Sequence, residues 1–206
     1  MVSPLPAERG RAEAVSAGAE PAGGNPWQTL STRRMYANAW IEVREDQVRT
    51  PSGAAGIYGV VQYQNRAVGV VPIDEDGFTW LVGQYRYTHD SYEWEIPEGG
   101  CPAGETLEAC ALRELQEETG LVAAELTPLL SRALSPLQLP NSTTNETAYL
   151  FVARGLTVGA ANPEDTEALA LWRLPLADAV AMALDGRIRD VLSVVALLRL
   201  ALLGAG

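Results

Sequence analysis

The sequence contains no lysine: all 15 basic residues among its 206 are arginine. It has a single histidine, His89, and only two cysteines, Cys101 and Cys110. The first absence excludes a lysine-bearing phosphate loop, a Schiff-base lysine and a lysine nucleophile. The second excludes zinc sites built from several histidines. It also leaves any Ser-His-Asp or Cys-His hydrolase dependent on His89. That residue stands in the turn-like Tyr87-Thr88-His89-Asp90, without a nucleophile-elbow motif, and reads better as a surface turn histidine. Two cysteines nine positions apart form neither a CxxC pair nor a secreted disulfide framework, and they indicate reduced thiols in a cytoplasmic protein. Long apolar runs are missing as well. The most apolar stretch, Val191 to Leu203, is short and interrupted by Arg199, which indicates a buried or interface helix rather than a membrane span.

What is plentiful is carboxylate. The 26 acidic residues give a net charge of -11, so the surface repels a nucleic-acid backbone and a nucleic-acid partner is not expected. An anionic ligand would have to be attracted by something other than net charge. A divalent metal held by carboxylate oxygens is one answer, and acids that serve only solubility are the plainer one.

Along the chain, residues 1–26 hold almost no large apolar side chain and read as an unstructured leader with no signal-peptide core. Alternation at Ile41, Val43 and Glu45, a Pro51-Ser52-Gly53 turn and the run Ile57 to Val61 predict an antiparallel strand pair. Further strands are expected at Ala67–Ile73 and Trp80–Arg86, joined by Asp74-Glu75-Asp76-Gly77. That tetrapeptide lacks the rest of a calcium loop and is expected to be a hairpin turn. Later strands are expected at Leu126–Ala133, Thr147–Ala153 and Leu169–Arg173, and helices at Glu105–Thr119, Leu176–Asp185 and Arg189–Leu203. This order predicts an α+β fold rather than a doubly wound one.

The chemistry concentrates in one segment. A Gly/Pro-rich loop from Glu95 to Glu105 runs into a helix that stops at Gly120, with Leu107, Ala111 and Leu115 repeating as a buried stripe. Glu114, Glu117 and Glu118 stand at i, i+3 and i+4, so their carboxylates share a face. Like charges at that spacing, two of them in the last turn, destabilise a helix, and cation binding offsets the cost. Taken alone, three clustered glutamates also fit a solvated acidic face.

The pattern around them is more specific. Gly99, five residues, Glu105, seven residues and Arg113-Glu114-Leu115-Gln116-Glu117-Glu118-Thr119-Gly120-Leu121 match every defined position of the Nudix box, so the chain resembles the Nudix hydrolases. The resemblance implies a mixed β-sheet sandwich between helices, with residues 67–206 as the hydrolase domain and 27–66 as an antiparallel strand extension. It implies that Glu114, Glu117, Glu118 and the Gly99 carbonyl hold magnesium, with manganese as the alternative. Glu105 would be a supporting acid and Arg113 the residue that orients a glutamate. The implied reaction is hydrolysis of a nucleoside diphosphate linked to another group.

Outside the box, Gly83-Gln84-Tyr85-Arg86-Tyr87 and Trp94-Glu95-Ile96-Pro97-Glu98-Gly99 are similar to the ADP-ribose and nucleotide-sugar pyrophosphatases. By that likeness Arg86 and Glu95 contact substrate, as does Pro136, which lies 15 residues after Leu121. Glu146 is implied as the catalytic base, against the plainer reading of a polar residue at a strand start. Two departures, Glu98 before the box and the loop Leu137 to Asn145, place another nucleotide sugar beside ADP-ribose as the substrate. Branch members are commonly homodimers, and a homodimer is implied here. Trp27, Tyr36 and Trp40 would stack a base or pack a dimer, with core packing the more frequent outcome for such residues. The rival readings are a Nudix-fold sensor without catalysis and a Nudix hydrolase of a different nucleoside diphosphate derivative.

Overall fold

A computed structural model describes residues 24–129, 136–159 and 169–204. The expected leader lies, for residues 1–23, outside the described residues. Eleven strands and three helices are present among them. Strands β1 (Gln28–Ala37), β2 (Ile41–Arg49) and β3 (Ala55–Tyr63) form one sheet in that order. β1 falls within the strand extension expected over 27–66, but the sequence reading does not place it as a separate strand, the first of which is expected at Ile41. The chain divides into two compact units, the smaller drawn from residues up to Arg33 and from Glu45–Tyr58, the larger from Arg34–Arg44 and Gly59 onward. In the smaller, Trp27 meets Tyr58 edge to face at 5.4 Å, and Gly53 closes the Pro51-Ser52 turn by donating to the Thr50 carbonyl.

The larger unit contains the α+β body. β4 (Arg66–Pro72) is the second strand of a mixed sheet in the order β7-β4-β10-β8, where β7 is Glu98–Cys101, β8 Leu121–Pro128 and β10 Thr147–Val158, with the short β9 (Leu137–Gln138) on β10. β4 and β10 run parallel, with Val70 opposite Phe151, while β7 and β8 run antiparallel to them. A second sheet has the order β11-β5-β6, from Ala170–Pro175, Phe78–Arg86 and Ser91–Glu95. β4 and β5 therefore belong to different sheets. The Asp74–Gly77 turn is tight, with the Asp74 carboxylate accepting from the Asp76 and Phe78 amides and pairing with Arg173, but it does not join a two-stranded hairpin beyond the single Ile73–Thr79 bridge.

Period-2 alternation in β4 and β10 supplies both faces of the core. Val68, Val70, Phe151 and Ala153 face α1 (Leu107–Thr119), which returns Leu107, Cys110, Ala111 and Leu115. Val71, Ile73, Leu150 and Val152 face the opposite way, toward Leu81, Ile96 and the helices α2 (Leu176–Asp185) and α3 (Val191–Leu203). Each large side chain fully buried here contributes about 1.5–3 kcal/mol of transfer free energy. The result is sheets between helices, the architecture that the resemblance implies. β8 starts directly after the helix and ends at Pro128, so the expected strand Leu126–Ala133 is displaced toward the N-terminus; its last residues lie outside the described ones. No described helix is long and apolar enough to cross a membrane.

Candidate active site

Helix α1 is built by local signals. The Thr106 hydroxyl accepts from the Ala109 amide at 3.1 Å, and Gly120 ends the helix at φ 71°, a left-handed conformation that glycine adopts without strain. The glycine loop before it is partly strand. Gly99 pairs with Val68 on β4, and its missing side chain is occupied: a Cβ there would lie 2.2 Å from Cδ of Glu114. Only glycine lets β7 approach the helix carboxylates this closely.

Arg113 is the hub of the cluster. Its guanidinium holds Glu105 through Nε and Nη2 at 3.0 and 2.9 Å, Glu114 at 2.8 Å, Glu117 at 2.9 Å, and the Gly100 carbonyl at 3.2 Å. Those carboxylates keep Arg113 charged, with the Glu105 contacts the largest cause, and Arg113 in turn draws the Glu105 carboxyl below its ordinary range. Glu118 is buried and accepts from the Glu98 amide at 3.0 Å, which ties the helix to the loop. Glu98 Oε2 is buried and receives no hydrogen bond. Glu114, Glu117 and Glu118 offer only oxygen atoms, the donor type that a hard divalent cation takes, whereas the three acids whose oxygens lie within 4.8 Å of one another among the described residues are Glu95, Glu98 and Asp190.

The facing wall is formed from β5 and β6. Glu95 is buried and receives Arg86 Nε on both oxygens at 2.9 and 3.0 Å, and Arg86 Nη2 reaches Glu98 Oε1 at 3.0 Å. Burial pushes the Glu98 carboxyl well above its ordinary value, reinforced by Asp190, Glu95 and Glu118 and opposed by Arg86. A cavity of about 450 Å³ is lined by Arg86, Glu98, Gly99, Glu146, Asp190 and Trp40, among others. Burial and then the nearby Asp190 charge raise the Glu146 carboxyl.

Of the residues singled out from sequence, Arg86, Gly99 and Glu146 share this cavity, Glu95 is linked to it through Arg86, and Glu105, Arg113, Glu114, Glu117 and Glu118 form the network beside it. Pro136 does not join them: it is exposed, and it is not a wall residue of the cavity. The expectation of core packing for the early aromatics is overturned. Tyr36 and Trp40 are 56% and 71% exposed and Trp27 is 38% exposed; Tyr36 lies on β1, which is exposed along its whole length, and Trp27 and Trp40 lie outside the strands. Asp190 is the residue that sequence reading missed. Its carboxylate lies within 4.8 Å of those of Glu95 and Glu98, and it caps α3 by accepting from the Ser193 amide at 2.7 Å. The sequence reading places Asp190 inside the helix expected at Arg189–Leu203, which in fact begins at Val191, and nothing local ties it to Glu95.

Comparison with known proteins gives the class first. Residues 63–194 match the NUDIX domain family, so the chain belongs to the Nudix hydrolases. Residues 27–61 match the nucleoside diphosphate sugar hydrolase N-terminal domain, which narrows the branch. The chain is 31% identical to an ADP-ribose pyrophosphatase of Mycobacterium tuberculosis over 84% of its length and 82% of that protein. It is likewise 31% identical to a methanol dehydrogenase activator of Bacillus methanolicus over 82% of its length and 89% of that protein. Among solved structures it is similar to an ADP compounds hydrolase, with a TM-score of 0.76 and 26% identity over 87% of this chain and 96% of that one. The chain is therefore a Nudix hydrolase whose relatives include ADP-ribose pyrophosphatases.

Proposed function

We propose that this enzyme uses magnesium to hydrolyse the diphosphate of ADP-ribose or a closely related nucleoside diphosphate sugar, releasing a nucleoside monophosphate and a sugar phosphate. The observation that carries this reading is the convergence of Arg86, Glu98, Gly99 and Glu146 on one cavity beside the α1 carboxylates. Glu114, Glu117, Glu118 and the Gly99 carbonyl would hold the metal, with manganese as a substitute. Bound there, the metal would neutralise charge on the diphosphate and acidify the attacking water.

The remaining work falls to the chain itself. Arg113 separates the like charges of Glu105, Glu114 and Glu117 and fixes their carboxylates. Glu95 aims the Arg86 guanidinium, whose positive charge faces the diphosphate from the cavity wall. Glu146 takes the proton of the water that attacks one phosphorus; the bridging P–O bond breaks and the two halves depart as phosphate monoesters. Its raised pKa makes it a stronger base than an ordinary glutamate.

We place the protein in the cytoplasm as a homodimer that pairs through the 27–66 extension, with residues 67–206 as the hydrolase domain. Exposed Leu30, Met35 and Tyr36 on β1 support that pairing, and two buried free thiols support a reducing compartment. The test is incubation with a panel of nucleoside diphosphate sugars and magnesium, followed by chromatography. AMP and ribose 5-phosphate in equal amounts from ADP-ribose are expected. Failure to turn over any member of the panel would refute the reading.

A further inference from the structure

Cys101 ends β7 and Cys110 lies on the buried face of α1, and both are free, buried thiols. The chain between them makes an exposed turn, Pro102-Ala103-Gly104, with Gly104 at φ 97°. Cys101 Sγ is tucked under that turn, 3.9, 3.6 and 3.8 Å from the carbonyl oxygens of Pro102, Glu105 and Thr106. The two sulfurs and a carboxylate oxygen of Glu105 all lie within 4.8 Å of one another.

Two sulfurs and one carboxylate at this spacing are ligands for a cation that takes thiolate as readily as oxygen, and a turn carbonyl or a water can supply the fourth position of a tetrahedron. The α1 glutamates offer oxygen alone, so the two places sort metals by softness. Arg66 Nη2 donates to Cys101 Sγ at 3.1 Å and Arg113 Nη2 to Cys110 Sγ at 3.5 Å, hydrogen bonds that persist once a metal displaces the thiol protons. Two thiolates and a carboxylate outweigh those two guanidiniums by one negative charge, so a dication is attracted. A disulfide is the competing use of neighbouring thiols, but both sulfurs are shielded from an oxidant. A metal ion has an entry path through Glu105, whose side chain is 21% exposed.

We propose that Cys101, Cys110 and Glu105 form a binding site for a thiophilic dication of the zinc class, separate from the α1 glutamates, and that filling it restrains hydrolysis. Glu105 is the link between the two. Arg113 holds Glu105 at 3.0 and 2.9 Å and holds Glu114 and Glu117 with the same guanidinium. A zinc ion that takes the Glu105 carboxylate removes the two-point contact that fixes this guanidinium, and Glu114 and Glu117 lose their anchor with it. The binding stands on the three side chains alone, while the restraint rests on the hydrolase reading above.

The experiment titrates cobalt(II), a spectroscopic stand-in for zinc, into the reduced full-length protein in excess magnesium, with Cys101→Ser and Cys110→Ser alongside. Serine is close to cysteine in size, and thermal melting checks that each variant is folded. The wild type is expected to bind one equivalent of cobalt with a thiolate-to-cobalt charge-transfer band in the near ultraviolet, which added zinc abolishes. Each variant should bind about 100-fold more weakly or worse, since even a change behind the ligands costs up to that much. Zinc should inhibit ADP-ribose hydrolysis by the wild type at saturating magnesium, and the two variants should keep their activity in the same zinc. No charge-transfer band in the wild type, or a band undiminished in both variants, overturns the site. A band with equal zinc inhibition of wild type and variants overturns the restraint alone. No hydrolysis by the wild type without zinc overturns the hydrolase reading and the restraint with it, while the absorption still decides the binding.

Discussion

Gly99→Ala isolates the steric requirement of the site from its charges. The added methyl would stand 2.2 Å from Glu114 Cδ and 2.3 and 2.4 Å from its two oxygens. Ordinary contact begins near 3.4 Å, so one partner must retreat by about 1 Å. β7 is held to β4 by its ladder, with Gly99 opposite Val68, whereas Glu114 is a side chain only 12% exposed and tethered at 2.8 Å to Arg113. The glutamate therefore yields, and the Arg113 network is strained with it. Misplacing a catalytic group by about 1 Å costs on the order of 10²-fold in rate, roughly 2.7 kcal/mol of transition-state stabilisation. Overpacking of this kind destabilises the fold by only about 1–3 kcal/mol, a fall in Tm of a few degrees for a chain of this size. Steady-state hydrolysis of ADP-ribose and thermal melting measured on the same preparation separate the two effects. A Gly99→Ala enzyme with wild-type kcat/KM and unchanged metal dependence would refute the reasoning.

The acid limb of the kcat/KM profile should lie above the ordinary carboxylate range, because the Glu146 carboxyl is raised and the base must be ionised. Activity is lost as pH falls through that raised value, and Asp190→Asn should move the limb to lower pH by removing one cause of the shift. An acid limb that stays in place in Glu146→Gln would contradict the assignment of the base. For the core, Leu115→Ala removes a fully buried side chain on the α1 stripe and should cost about 2–5 kcal/mol in denaturant unfolding. A loss below 1 kcal/mol would mean that the helix is not packed as described.

Helix α1 and its carboxylates were legible because everything that makes them is local: a cap at Thr106, a four-residue stripe and a glycine stop. The strands β6 and β7 were not, since Glu98-Gly99-Gly100-Cys101 shows no apolar alternation and pairs with β4 through its backbone. β1 was hidden for a related reason. Its polar Ser, Thr and Arg residues are exposed at every position, so burial leaves no period to read. The Glu95–Glu98–Asp190 cluster depends on α3 docking through Ser193 onto Ile96, a contact spanning 97 residues of sequence. The separation of β4 and β5 into two sheets likewise follows from long-range pairing with β10 and β11, not from the turn between them.

On the function proposed above, the α1 carboxylates hold a divalent cation, and that cation makes an acidic, lysine-free protein a site for a diphosphate. The most direct measurement is the rate of ADP-ribose hydrolysis against magnesium concentration, in the wild type and in Glu118→Gln. Saturable dependence on magnesium, complete loss with excess chelator and a fall of about 10²-fold or more in Glu118→Gln are predicted. Hydrolysis that survives the chelator, or full activity in Glu118→Gln, would contradict it.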